Sequence, residues 1–217
     1  MSTRTTPYLE AIEHLPGGAT LVIHQVSWDD YERLLQDLFD RPHLRISYDR
    51  GKLEIMSPSP EHEEYAEFID DLVLLFSETL DVKLEKRGKT TWKNRRLAKG
   101  VEPDACYYVA NADRIIGKRE IDLGSDPPPD IVVEIDITNE SLSKFPIYAA
   151  LGIPEIWRYD GKKNMHFYEL AGDTYGEILE SRFLTGLKPL ILVEALEQSK
   201  TEGQTAARHA FRQRLTS

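Results

Sequence analysis

The chain of 217 residues is long enough to bury one substantial core, and its 41% hydrophobic and 29% charged residues are typical of globular proteins. This composition excludes a disordered or fibrous chain, and the longest apolar runs, 72–76 and 190–193, are too short to cross a bilayer of about 30 Å. The net charge of −10 argues against nucleic-acid binding over the whole surface, because neutralising phosphates requires concentrated lysine and arginine.

The cellular compartment follows from the N-terminus and from cysteine usage. No apolar segment with a small-residue cleavage site follows Met1, so no secretory signal is visible. Cys106 is the single cysteine, which allows neither an intrachain disulfide nor a zinc site built from cysteines. We therefore expect a cytoplasmic protein with no membrane segment.

Most of the chain divides into helix and strand patterns. Ser27 can cap a helix, Asp49-Arg50-Gly51 has the composition of a hairpin turn, and apolar residues recur at three- and four-residue steps from Tyr65 to Leu80. The predicted elements are a strand over 20–26, a helix over 28–39, hairpin strands over 44–48 and 52–56, a helix over 61–80, strands over 101–110 and 130–137, a helix over 141–151, hairpin strands over 155–159 and 165–170, and a last strand or two over 177–184.

The order of these elements indicates the fold class. Strands meet in hairpins, and helices lie between groups of strands, so the prediction is an α+β protein with a mixed β-sheet core flanked by helices and not a series of βαβ units. We expect residues 1–200 to form a single domain and residues 201–217 to form a polar helical tail. That tail, with Phe211 among its arginines, could pack on a second subunit.

A basic block precedes the acidic part of the chain. Eight lysines and arginines accompany one acid, Glu85, and one tryptophan, Trp92, between residues 83 and 99. The basic residues are Lys83, Lys86, Arg87, Lys89, Lys93, Arg95, Arg96 and Lys99. The block is either a solvated loop or a phosphate contact, and its position directly before the acidic residues slightly favours phosphate contact.

Carboxylates occur inside two apolar strands. Asp104 lies near the start of one predicted strand and Glu134 lies within the next, where an unpaired charge would cost several kcal/mol. Because strand side chains alternate, Asp136 shares a face with Glu134. Magnesium takes one or two protein carboxylates and keeps several waters, so these acids could hold it. Each acid taken alone is more often an exposed or salt-bridged strand residue than a metal ligand.

Lys144 is placed to complete a hydrolytic site. It begins the helix that directly follows the second acidic strand, so the chain returns a lysine to the same end of the sheet. A lysine beside the water on a metal can orient that water and stabilise charge at a phosphate, while the metal lowers the pKa of the water. Without the acids, Lys144 is an ordinary surface lysine. Nucleophile-elbow, phosphate-loop, zinc-protease and dinucleotide motifs are all missing.

The combined motifs resemble a known family over most of the chain. They are Glu54-Ile55-Met56-Ser57-Pro58 with His62, Pro103-Asp104, Pro129 to Ile135, Lys144 with Tyr148, Gly152-Ile153-Pro154-Glu155 and Trp157. This set is similar to the Uma-type restriction endonucleases, a former domain of unknown function within the PD-(D/E)xK nuclease superfamily. The resemblance implies a restriction-endonuclease-like fold, a homodimer, Mg²⁺ or Mn²⁺ held by Asp104 and Glu134, and Lys144 as the catalytic lysine.

The chain departs from the superfamily pattern at Asp136, which stands where the catalytic lysine usually lies, two residues after the strand acid. Asp136 either adds a metal ligand or pairs with Lys144, and the pairing is slightly favoured. His62 could reach the site from the start of the long helix as an accessory residue, and so could Glu61, Glu63 or Glu64 from its first turn. The alternative explanations are a cap-region histidine for His62 and acids favoured by the helix dipole for the glutamates.

These observations lead to two hypotheses of different class. The first is a magnesium-dependent endodeoxyribonuclease that hydrolyses DNA phosphodiester bonds. The alternative is a catalytically inactive nuclease-fold module that acts as a nucleic-acid-binding or dimerisation scaffold. An enzyme requires Asp104, Glu134 and Lys144 to converge on one site, whereas a scaffold does not.

Overall fold

A computed structural model describes residues 6–40, 43–88, 90–137 and 144–216 of the chain. Its helices are α1 (Thr6–Glu13), α2 (Trp28–Asp37), α3 (Pro60–Thr79), α4 (Ala112–Ile115), α5 (Phe145–Leu151), α6 (Pro189–Glu202) and α7 (Gln204–Leu215). Its strands are β1 (Thr20–Ile23), β2 (Arg45–Asp49), β3 (Lys52–Met56), β4 (Glu85–Lys86), β5 (Trp92–Asn94), β6 (Lys99–Val101), β7 (Ala105–Tyr108), β8 (Ile131–Ile135), β9 (Glu155–Tyr159), β10 (Met165–Ala171) and β11 (Thr174–Ile178).

The strands form two sheets. The hairpin sheet has the order β1-β3-β2-β6-β5, and the central sheet has the order β11-β10-β9-β8-β7-β4. β8 and β9 pair in parallel and the other neighbours in the central sheet pair antiparallel, so this sheet is mixed. The predicted α+β class is confirmed. The strands predicted to share one sheet are divided between two.

The parallel pair explains the position of helix α5. Parallel strands cannot be joined by a tight turn, so the chain crosses over through α5 between β8 and β9. Gly152 ends this helix in the left-handed conformation, at a φ of 75°, and Ile153 and Pro154 lead into β9. Residues 141–143 of the predicted helix lie outside the described residues.

The main core lies between the central sheet and helices α3, α6 and α7. Val133, Trp157 and Phe167 point into it from the sheet, and the rings of Trp157 and Phe167 stack with centroids 4.3 Å apart. From α7, Ala207 and Phe211 are buried in the same core. The predicted boundary at residue 200 falls inside α6, and the division into a domain and a tail stays a prediction.

Several predicted elements differ from the observed ones. Residues 83–99, for which no strand was predicted, contribute β4, β5 and the start of β6. The last predicted strand, at 177–184, lies earlier, as β11. Helices α1, α4 and α6 were not predicted. Strands of two or three residues exist because neighbouring strands pair with them, which local composition does not encode. Among the described residues no helix is long and apolar enough to span a membrane.

Candidate active site

Asp104 forms hydrogen bonds with strand β8 at the residues directly before and after Glu134. It directly precedes β7, and its backbone N–H donates to the Val133 carbonyl at 3.0 Å. Its carboxylate atom Oδ2 accepts a hydrogen bond from the Ile135 N–H at 2.8 Å. The Asp104 side chain is therefore held next to Glu134 at one end of the central sheet, and both residues are buried.

The remaining partners of Asp104 come from the hairpin sheet and from α3. Arg45 Nε donates to Asp104 Oδ1 at 2.9 Å, and His62 Nε2 lies 3.3 Å from Oδ2. Burial by itself would raise the pKa of Asp104, but the close contact and charge of His62, with the charges of Lys144 and Arg45, outweigh it. The pKa of Asp104 is therefore well below its usual range.

Glu134 accepts hydrogen bonds from two residues of the α5 segment. Lys144 Nζ lies 2.5 Å from Oε2, and the Tyr148 hydroxyl donates to Oε1. Lys144 is the N-cap of α5 and Tyr148 lies four residues later, one turn along the same face. The helix start thus directs both donors at one carboxylate.

Burial and neighbouring charges both shift the pKa values of Glu134 and Lys144. Burial raises the pKa of Glu134 to about 8; the charge of Lys144 opposes the rise, and the charges of Asp104 and Asp136 add to it. Burial by itself would lower the pKa of Lys144, but the charges of Glu134 and Asp104 outweigh it and raise that pKa above its usual value. Lys144 consequently stays protonated at neutral pH.

The structure brings Asp104, Glu134 and Lys144 into one buried cluster, with Lys144 directed at Glu134 and not at bulk solvent. Their catalytic roles remain a prediction. Two buried carboxylates matched by nearby cations can bind a divalent cation or serve as an internal ion-pair network, and geometry alone is compatible with both.

Comparison with known proteins identifies the family. The model of the Uma2 family, described as a putative restriction endonuclease, matches residues 28–202. The chain belongs to the Uma2 family. The predicted family resemblance is thereby confirmed. A similar solved structure is titled a putative nuclease belonging to DUF820 from Anabaena variabilis, with a TM-score of 0.47 and 15% identity over 69% of this chain and 89% of that one. No curated protein matches the chain.

The predicted accessory residues of this Uma2 chain have different positions. His62 lies beside Asp104, as stated above. Glu64 lines a cleft outside the cluster, and its neighbour Glu63 instead reaches Arg45. Asp136 accepts from Arg158 Nε of β9, so the favoured pairing of Asp136 with Lys144 is wrong. The parallel pairing of β8 with β9 places Arg158 close to Asp136, while Glu134 takes the Lys144 ammonium.

Sequence reasoning missed Arg45 and attached no role to Tyr148. Arg45 is only 2% exposed, although it occupies a polar position in the alternation of strand β2. The alternation indicated that Arg45 faces away from Ile46, but it could not show that the opposite face is covered as well. For Tyr148, the four-residue spacing from Lys144 was the available signal.

Two motif acids of the Uma2 chain serve the fold instead of the cluster. Asp130 accepts hydrogen bonds from the N–H groups of Val109 and Asn111, at the opposite end of β8 from Glu134. Glu155 has no exposed surface and accepts from Trp157 Nε1 at 2.5 Å and from the Arg182 N–H at 2.9 Å. The first holds the turn after β7, and the second fastens the segment before α6 to β9.

The basic block is largely neutralised by acids from other parts of the chain. Its ion pairs are Lys83–Asp113, Lys86–Asp70, Lys93–Glu32, Arg95–Glu32, Arg95–Asp29 and Lys99–Asp49. Lys89 lies outside the described residues. Lysines and arginines that are already paired with carboxylates are less available to neutralise phosphates. These ion pairs therefore favour a solvated surface over phosphate contact.

The residue types in the cluster fit a divalent cation. Among the described residues, no group of three or more histidines, cysteines and acids is arranged as a metal site. Asp104 and Glu134 nevertheless supply the carboxylate oxygens that magnesium and manganese prefer, with water completing the coordination. Each carboxylate oxygen of Glu134 accepts one described hydrogen bond and has two lone pairs, so acceptor capacity remains.

Proposed function

We propose that this chain is a divalent-metal-dependent endodeoxyribonuclease that hydrolyses DNA phosphodiester bonds. In this proposal Asp104 and Glu134 hold Mg²⁺ or Mn²⁺, and Lys144 acts at the reacting centre. The supporting observation is that two carboxylates from neighbouring strands and one lysine meet in a single buried cluster. The family description, a putative restriction endonuclease, supports DNA as the substrate. A homodimer and a cytoplasmic location belong to the same proposal.

The chemistry assigned to the chain itself is positioning and charge stabilisation. A bound divalent cation would supply positive charge that favours ionisation of water and stabilises phosphate oxygens. Asp104 is oriented in advance by Arg45 and by the Ile135 N–H. Lys144, held by Glu134, presents a fixed ammonium that can stabilise the negative charge developing on an attacked phosphate.

One observation favours the alternative function, a catalytically inactive nuclease-fold scaffold. Lys144 contacts Glu134, Arg45 contacts Asp104, and all four side chains are buried. Ion pairs of this kind give the buried groups partners without any ligand, which fits a structural role. The two functions therefore differ in whether the cluster binds a cation.

Cation binding is tested by removing the charge of each proposed ligand. We expect Asp104→Asn and Glu134→Gln each to lower Mn²⁺ affinity at least about 100-fold, because each removes a charged oxygen ligand. Titration calorimetry measures the affinity, and thermal melts in chelator establish that each variant is folded. Glu177→Gln, which removes an exposed acid paired with His166, is the matched control. Unchanged Mn²⁺ affinity in the two site variants contradicts the ligand assignment.

The role of Lys144 is tested by separating metal binding from cleavage. We expect Lys144→Ala to keep Mn²⁺ binding but to slow plasmid nicking on the order of 100- to 1000-fold, because its charge acts on the transition state. Lys162→Ala, at an exposed turn residue, should nick DNA at the wild-type rate. A wild-type protein that never nicks DNA with Mg²⁺ or Mn²⁺ favours the scaffold function.

A further inference from the structure

Arg45 connects the two sheets of the protein at the candidate site. It lies on β2 of the hairpin sheet, and its side chain is 1% exposed. Nε donates to Asp104 Oδ1 at 2.9 Å, Nη1 donates to the Leu44 carbonyl at 3.2 Å and Nη2 donates to Glu63 Oε1 at 2.7 Å. The guanidinium is thus held in one orientation, and it in turn fixes the Asp104 carboxylate.

The charge of Arg45 opposes a cation at the same carboxylate. Asp104 has Arg45 as its counter-ion, in the same way that Glu134 has Lys144. Two positive charges a few ångströms apart repel strongly inside a protein, because the effective dielectric constant is far below that of water. A divalent cation that binds Asp104 therefore competes with the guanidinium for the negative charge of this carboxylate.

Glu63 gives Arg45 a second partner. Its side chain is 27% exposed and lies on α3, at the edge of a cleft of about 520 Å³ that Glu64 and Glu67 also line. An arginine with a single carboxylate partner would be left as an unpaired buried charge if that partner turned to a metal, which is strongly unfavourable. With Glu63 in place, Arg45 remains paired while its hold on Asp104 loosens.

From this arrangement we propose that Arg45 is a positioning residue that holds Asp104 in the metal-free protein and competes with the divalent cation for it. The competition rests on the proposed function, whereas the positioning of Asp104 does not. In the same proposal Glu63 favours cation binding, because its charge draws Arg45 away from Asp104.

The positioning role is tested in chelator with a double-mutant cycle of Arg45→Gln and Asp104→Asn. We expect Arg45→Gln to lower the melting temperature by about 10 °C, because Asp104 loses its buried ion pair with Arg45. In the presence of Asp104→Asn the same change should have less than about half of this effect. Arg50→Gln, an exposed arginine of the same hairpin, should change the melting temperature little. Additive effects in the cycle overturn the proposal.

The competition is tested by Mn²⁺ titration of the same folded proteins. We expect Arg45→Gln to bind Mn²⁺ on the order of tenfold more tightly than wild type and Glu63→Gln to bind it more weakly. Arg45→Lys, which keeps the charge, should restore affinity toward the wild-type value. Arg50→Gln and Glu64→Gln, which make the same charge changes outside the contact, are the controls.

The outcomes separate this inference from the proposed function. Unchanged or weaker Mn²⁺ binding by Arg45→Gln overturns the competition. If that variant does not fold, Glu63→Gln, at a partly exposed position, replaces it, and Mn²⁺ binding that is not weakened by Glu63→Gln overturns the competition. A wild-type protein that binds no Mn²⁺ overturns the proposed function and the competition together. The cycle in chelator still decides whether Arg45 positions Asp104.

Discussion

Replacing Lys144 with alanine is expected to lower the free energy of unfolding in chelator by up to about 1.4 kcal/mol more at pH 9 than at pH 6. At pH 9 Glu134 is ionised, because its pKa is raised only to about 8, and Lys144 is still protonated. Removing Lys144 takes away a charge that lowers the pKa of Glu134, so at pH 9 this buried side chain either stays ionised without its counter-ion or takes up a proton at a cost in free energy. At pH 6 Glu134 holds a proton and carries no charge to be compensated.

Urea denaturation at the two pH values measures this difference. The double variant Lys144→Ala with Glu134→Gln is the matched control, since it removes both charges of the pair and should recover much of the loss at pH 9. Lys162→Ala shows the effect of removing an exposed lysine. An equal loss at pH 6 and pH 9, or no recovery in the double variant, would contradict the assigned pairing of Lys144 with Glu134.

The second large effect is a loss of stability as the pH rises from about 5 to about 8. An unfolded glutamate has a pKa of about 4.3, whereas the pKa of Glu134 in the folded protein is raised to about 8. In this window the folded state holds a proton that the unfolded state has released. Unfolding free energy therefore falls with rising pH, by up to about 1.4 kcal/mol per pH unit for one proton.

Asp104 and Lys144 affect stability over pH ranges different from that of Glu134. The lowered pKa of Asp104 gives stability that is fully present above the ordinary aspartate pKa and is lost on acidification below it. The raised pKa of Lys144 gives stability that is lost only above the ordinary lysine range. Burial also raises the pKa of Glu102 and Glu155, which contribute in the same direction as Glu134.

The contribution of Glu134 is therefore measured as a difference between two proteins. Wild type and Glu134→Gln are unfolded with urea in chelator at pH 5, 6, 7 and 8, and the variant should lose stability less steeply across the series. Glu177→Gln, which removes an exposed acid, should follow the wild-type profile. Parallel profiles for wild type and Glu134→Gln would show that the Glu134 carboxyl does not titrate in this window.

The amino-acid sequence by itself determined the elements with a strong local pattern. Helix α3 and the β2–β3 hairpin lie within a residue or two of their predicted positions, because side-chain periodicity and turn residues act over short distances. Ser27 caps α2 and accepts a hydrogen bond from the Asp30 N–H, as its position before the helix indicated. Asp104 and Glu134 could likewise be recognised from the sequence, because their neighbours along the chain are largely apolar.

Tertiary structure alone decided which distant residues meet. Arg45 contacts Asp104 across 59 positions of sequence and between two sheets, and Asp136 pairs with Arg158 instead of Lys144 because β9 lies parallel to β8. The short strands β4 and β5 likewise depend on partners elsewhere in the chain. Periodicity reports which face of an element is buried, but the element that covers this face, and the charges it brings, are chosen only when the whole chain packs.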